Sequence, residues 1–249
     1  MSSTIRTQTF ALQERMLGAR SRCMKLFRFI LFLTFALAIV SEAAQKLPTP
    51  STANIEKWEK SIAAFETNDK TNAPPKNGIL FIGSSSIKRW STLEQDFPNF
   101  PVFNRGFGGS QVADSLHFAN RIVLPYEPRQ IVMFAGSNDL NAKKSPLQVF
   151  ADYRAFVRRV HKSLPQTRIS YIAITPCEKR IKQIEQVHEA NRLVAEFAKK
   201  NRKLDFIDTA SRMVDSDGNP LPDIFAADKL HLNEKGYAIW TRIIRPYLK

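Results

Sequence analysis

Cysteine is nearly absent from this chain, which has two in 249 residues, and Cys23 falls in an N-terminal stretch that reads as an address rather than as fold. Cys177 is then alone, which excludes an internal disulfide and a metal site of cysteine spacing. A lone cysteine of this kind is expected to be packed as a small hydrophobe. The apolar run Phe29–Val40 is too short to span a bilayer, which takes roughly 20 apolar residues. Acidic residues are in deficit, 23 against 37 Lys and Arg, for a formal net charge of +14. Such an excess could suit nucleic acid or an anionic surface. Here, however, the basic residues come in scattered pairs, Lys143-Lys144, Arg158-Arg159 and Lys199-Lys200, on segments that read as helices. Solvated helix faces are expected, and nucleic-acid binding is not. There is no internal repeat or low-complexity tract.

What is present is a hydrophobic content of 43%, with 10% aromatics, enough for one substantial core and a single domain. Arg20, Arg22, Lys25 and Arg28 precede Phe29–Val40, and Ser41-Glu42-Ala43-Ala44 follow it. Basic residues, a short apolar stretch and small residues in that order make a secretory signal. Met24, just before Lys25, offers an alternative start. Residues 1–44 are therefore expected to be a signal peptide, 45–53 a linker with two prolines, and 54–249 the folded domain. The product is expected to be secreted or periplasmic, and to touch a membrane only through an uncleaved signal.

Asn54 can cap a helix that places Ile55, Trp58, Ile62 and Phe65 on one face, and Pro74-Pro75 ends it. Ile79–Ile82, continuously apolar and rich in branched residues, reads as a buried strand. Gly83 then permits a tight turn, and Ser84–Ser86 stand where a helix N-terminus would begin. Val102–Asn104 predicts a second strand, running into Arg105-Gly106-Phe107-Gly108-Gly109-Ser110 and a helix over Gln111–Arg121. A third strand, Gln130–Phe134, stops at Ala135-Gly136-Ser137-Asn138-Asp139. A helix over Pro146–Leu164, a strand over Arg168–Ile174, a helix over Lys182–Lys200 and a strand over Leu204–Ile207 follow, with a closing helix near Glu234–Tyr247. Five strands alternating with helices predict an α/β fold: a three-layer α/β/α sandwich around a five-stranded parallel sheet.

In such a sheet all strand C-termini face one way, and ligands bind just beyond them. Ser85, Gly109, Asn138 and His231 can then converge although they are far apart in the chain. Ser84–Ser86 alone could merely cap a helix; the convergence favours a nucleophile. Asp228 and His231 stand three apart, so one turn of chain can aim both the same way. An aspartate bonded to one ring nitrogen fixes the tautomer and leaves the other nitrogen as base for a serine. Gly109 can bring a backbone N–H close to a ligand, and the Asn138 amide can donate to a developing oxyanion. The nucleophile elbow of an α/β-hydrolase is excluded, because Ile87 stands where it needs a glycine two residues after the serine. His117, His161 and His188 are expected in solvated or packed roles, Trp90 in the core or a pocket wall, and Asp139 in fixing its loop.

The same residues form four blocks in order: Gly83-Ser84-Ser85-Ser86-Ile87, Gly106-Phe107-Gly108-Gly109, Gly136-Ser137-Asn138-Asp139 and Asp228-Lys229-Leu230-His231. In order and spacing they resemble the SGNH (GDSL-like) hydrolase family of esterases and acylhydrolases, over roughly residues 78 to 245. The resemblance implies a flavodoxin-like fold, with Ser85 as nucleophile, His231 as base and Asp228 as its orienter. It also implies an oxyanion hole made of the Ser85 and Gly109 N–H groups and the Asn138 side chain, with no metal or cofactor. Two positions depart from the family pattern: Ser84 and Ser110 stand where aspartates are usual, which bears on loop rigidity and substrate contacts. The expected function is an exported serine esterase that cleaves a small, short-chain carboxylic ester through an acyl-enzyme. The alternative is a non-catalytic ligand-binding member of the same fold. The expected partner is a small-molecule ester, and Cys177–Ile181 and Asp215–Ile224 are the loops expected to carry specificity.

Overall fold

Five short strands, β1 (Ile79–Gly83), β2 (Val102–Gly106), β3 (Gln130–Phe134), β4 (Arg168–Ile172) and β5 (Leu204–Ile207), form one sheet in a computed structural model that describes residues 47–249. The expected signal peptide lies outside the described residues. All four pairings are parallel and the order is β2-β1-β3-β4-β5. The chain thus builds outward from β1 to one side and then returns to build β3, β4 and β5 on the other. That reversal opens a crevice beyond the C-terminal ends of β1, β2 and β3, which is where ligands sit in sheets of this kind.

The alternation within each strand feeds two separate cores, because successive side chains point to opposite faces. Leu80 and Ile82 of β1 join Ile131, Met133, Ile169 and Tyr171 on one face. There they meet α1 (Ile55–Asp69), α4 (Val112–His117), α5 (Ala119–Ile122), α7 (Pro146–Ser163) and α8 (Ile184–Lys199). Ile79 and Phe81 point the other way, with Val132, Phe134, Ile172 and Ile207. That face is covered by α2 (Ser85–Lys88), α3 (Leu93–Asp96) and α9 (Glu234–Ile244). The three-layer parallel architecture expected from the sequence is what forms.

The long helices follow from their caps and stripes. Asn54 accepts from the Lys57 N–H at the start of α1, Ser145 from Gln148 at α7, and Asn233 from Gly236 at α9. Three segments differ from expectation. The stretch read as one helix over Gln111–Arg121 is two, broken at Phe118, whose ψ of 3° leaves the helical range. The helix expected from Lys182 begins at Ile184, after a 3-10 stretch, Glu178–Gln183, interrupted at Arg180. The closing helix ends at Ile244, and a 3-10 turn carries Arg245–Tyr247. Asn138, read as a loop residue, lies on the five-residue helix α6 (Ser137–Asn141). Among the described residues no helix is long and apolar enough to cross a membrane.

Candidate active site

The turn after β1 is built for a glycine. Gly83 has a φ of +137°, and a Cβ there would lie 1.9 Å from the Phe134 carbonyl oxygen of the neighbouring strand. Any other residue would separate β1 from β3 at this point. The helix that follows, α2, has four residues and is too short to be stable alone. Tertiary contacts pin it instead. Ile87 and Trp90 are buried against Phe81, Phe97 and Trp240, the Tyr237 hydroxyl donates to the Ser86 carbonyl at 2.8 Å, and the Asn104 amide donates to that of Ile87 at 2.6 Å. Ser85 at the start of α2 is therefore rigidly presented. Trp90 proves to be core, as one of the two expected roles had it.

His231 reaches Ser85 from the other end of the sequence. Its Nε2 lies 2.9 Å from Ser85 Oγ, and its Nδ1 lies 2.6 Å from Asp228 Oδ2. The intervening turn is tight: Lys229 takes a left-handed φ of 56°, and Asp228 Oδ1 accepts the N–H groups of Leu230 and His231 at 3.1 and 3.0 Å. Its bond to the His231 ring, aided by those two N–H groups, holds the Asp228 carboxyl well below the usual carboxylate range. Asp228 is half-exposed and Arg89 approaches it at 3.7 Å. The order Asp228, His231, Ser85 requires the proton on Nδ1, which leaves Nε2 free to accept.

The opposite wall belongs to the ends of β2 and β3. Gly109 turns with φ +81°, and a Cβ there would meet the Trp58 ring at 3.3 Å. Neither its N–H nor that of Ser85 donates to an acceptor among the described residues. The Asn138 amide nitrogen donates to the Ser110 carbonyl at 3.0 Å, which leaves one of its two N–H groups for a ligand. Ser110, where the family usually has aspartate, is fully buried and its hydroxyl donates to the Gly83 carbonyl at 3.2 Å. It ties the second block to the first without a charge.

Two residues bear more on this wall than the sequence suggested. Asp139 is fully buried: both its oxygens take the Val112 N–H, at 3.3 and 3.2 Å, and Oδ1 takes Lys144 Nζ at 3.2 Å. Its fixing role thus extends beyond its own loop to the start of α4. Arg180, in the interrupted 3-10 stretch, donates to Ser137 Oγ at 2.7 Å and to Asn138 Oδ1 at 2.9 Å. The sequence places Arg180 only in a loop expected to carry specificity. Its signal was position, since the segment leaving β4 emerges at the same sheet edge as the blocks.

Ser85, Asn138, Cys177, Arg180, Leu230 and Phe225 share a cavity of about 20 Å³. Cys177 is buried there, and burial pushes its thiol pKa up, away from nucleophilic use. His161 bonds the Thr167 carbonyl at 3.0 Å and His117 meets Phe118 edge-on, both away from the crevice. Among the described residues no three His, Cys, Asp or Glu are grouped to hold a metal ion.

A parallel α/β/α sandwich with a serine, histidine and aspartate hydrogen-bonded in sequence at its switch point has the build of an SGNH-type hydrolase. The chain belongs to the GDSL-like Lipase/Acylhydrolase family, whose profile matches residues 82–239. That membership places it among hydrolases acting on esters. Among solved structures, a candidate platelet activating factor of Streptococcus pneumonia is 21% identical with a TM-score of 0.69, over 78% of this chain and 94% of that one. A GDSL-like lipase from Bacteroides thetaiotaomicron is 18% identical with a TM-score of 0.60, covering 78% and 96%. An acetylxylan esterase from Geobacillus stearothermophilus is 18% identical with a TM-score of 0.54, covering 69% and 94%. At these identities the likeness is one of fold. A search of curated proteins returns no match.

Proposed function

We propose that this protein is an exported serine esterase that removes a short acyl group from a small carboxylic ester through an acyl-enzyme. The observation that carries the reading is the unbroken chain of hydrogen bonds from Asp228 through His231 to Ser85 Oγ, at 2.6 and 2.9 Å. Ser85 Oγ attacks the ester carbonyl while His231 Nε2 takes its proton, and Asp228 stabilises the imidazolium. The negative charge moves to the carbonyl oxygen, which faces the N–H groups of Ser85 and Gly109 and the remaining N–H of Asn138. Collapse expels the alcohol, protonated by His231, and leaves the acyl group on Ser85. A water activated by the same nitrogen then attacks the acyl-enzyme and releases the carboxylic acid.

Phe225, Leu230 and Trp240 crowd the space beside Ser85, which supports a short acyl group over a fatty chain. A structural neighbour described as an acetylxylan esterase is in keeping with that. The basic leader, the apolar run and the small residues before position 45 support export. A fluorophosphonate probe should label the mature protein and fail on Ser85→Ala. Hydrolysis of a series from acetyl to decanoyl esters should be fastest at the short end. Labelling that survives Ser85→Ala, or equal rates along the series, would overturn the corresponding part of the reading.

A further inference from the structure

Arg180 stands outside the four sequence blocks, yet two of its five N–H groups go into the third block. Nη1 donates to Ser137 Oγ at 2.7 Å and Nη2 to Asn138 Oδ1 at 2.9 Å. The side chain is half-buried, and burial lowers its pKa. Among the described residues no carboxylate lies within ion-pair distance of it. A desolvated cation without a counter-ion is costly, so its retention here calls for a reason.

Asn138 supplies one. Its amide is held at both ends, Nδ2 by the Ser110 carbonyl at 3.0 Å and Oδ1 by Arg180. Turned over, it would set Oδ1 against the Ser110 oxygen and NH2 against the guanidinium, two repulsive contacts in place of two bonds. A charged donor on Oδ1 also draws electron density from the amide and makes its free N–H a stronger donor. The positive charge lies in the cavity where Ser85 would generate an oxyanion.

We propose that Arg180 is a positioning residue of the oxyanion hole, acting through Asn138 to orient and polarise its free N–H. The inference rests on the serine-esterase reading of the same site. It is tested with an acetyl ester of a nitrophenol, on wild type, Arg180→Ala, Arg180→Lys, Asn138→Ala and the Arg180→Ala/Asn138→Ala double variant. Arg180→Ala should lower kcat by on the order of 10- to 100-fold, less than losing the donor itself, with KM nearly unchanged. Lysine keeps the charge but cannot fork between Ser137 and Asn138, so it should restore only part of the loss. Millimolar guanidinium, far below denaturing levels, should restore activity to Arg180→Ala and not to Asn138→Ala. The double variant should be no slower than Asn138→Ala alone.

Losses that multiply in the double variant, or a rise in KM with kcat intact, would overturn the inference. If Arg180→Ala fails to fold, Arg180→Lys with its own double variant decides on the same criterion. A wild type that neither turns over the ester nor takes a fluorophosphonate sinks the esterase reading and this one with it. A labelled, active wild type whose kcat is indifferent to Arg180 sinks this one alone.

Discussion

The two sides of the crevice are held in opposite ways. On one side Asp228 and His231 belong to a single half-exposed turn, three residues apart, and the aspartate is fixed largely by N–H groups of that same turn. On the other side Ser110, Asn138, Asp139 and Arg180 come from three separate crossovers, and each is bonded to a partner from another. The first side can be oriented locally and in contact with water. The second side must keep N–H groups unpaired for a ligand, and such groups stay poised only if everything around them is satisfied and rigid.

The sharpest way to break the contrast is to remove the groups through which the proposed mechanism has the first side react. Ser85→Ala and His231→Ala should each lower kcat by on the order of 10⁶, and the pair together scarcely more, because they act as one unit. Asp228→Ala should cost on the order of 10⁴, since the imidazole survives but loses its tautomer and aim. Steady-state kinetics on a short-chain ester reads all three. Losses for serine and histidine that multiply would mean they do not share a step. All three variants should keep the wild-type fold by circular dichroism, because none of the three side chains belongs to the buried core.

A smaller loss is expected across the crevice. Asn138→Ala should lower kcat by on the order of 10² to 10³ with little change in KM, the usual result of removing one oxyanion donor. Asn138→Asp separates donation from loop fixing. Its carboxylate would still meet Arg180, and more strongly as an ion pair, so the fold should hold. It offers no N–H, and its charge would oppose the oxyanion, so it should be at least as slow as Asn138→Ala. A near-normal kcat in the Asp variant would reduce Asn138 to a loop residue.

The same contrast explains what could be read from the sequence. The apolar runs placed all five strands to within two residues at either end, and parallel alternation placed their C-terminal ends together. Asp228 and His231 were legible because their spacing is their geometry. The partners of the far wall were not, because no local pattern reports a contact across a sheet edge. Asp139 meets Val112 across 27 residues and Arg180 meets Asn138 across 42. The break at Phe118 was missed for a related reason: Gln111–Arg121 has helical composition, and tertiary packing overrides it. Arg180 occupies its place because its own segment leaves the helical range there.

The smallest effect tests the buried wall by acidity. Asp139 sits between two competing influences: burial disfavours its charge, while Lys144 at 3.2 Å favours it. Lys144 is also claimed by Asp152, which is fully buried and accepts it at 3.1 Å, so one cation is divided between two carboxylates. Burial prevails and pushes Asp139 up to about 6. In the unfolded chain an aspartate titrates near ~3.9, so between roughly pH 4 and 6 the native state holds this proton more tightly. Stability contributed by this group is therefore greatest at the acid end, falls as pH rises through that window, and is level above it. Asp228, depressed by its histidine, has the opposite sign: what it contributes is present above about pH 4 and lost as acid protonates it. Asp139→Asn keeps an acceptor for Val112 and should change kcat by less than about tenfold, well under the loss of an oxyanion donor. Its melting temperature, measured against wild type from pH 4 to 8, should gain on wild type as pH rises to about 6 and then hold a constant gap. A gap that moves in wild type's favour over the same interval would mean that Lys144, rather than burial, governs Asp139, and that the far wall is held by charge as the near turn is.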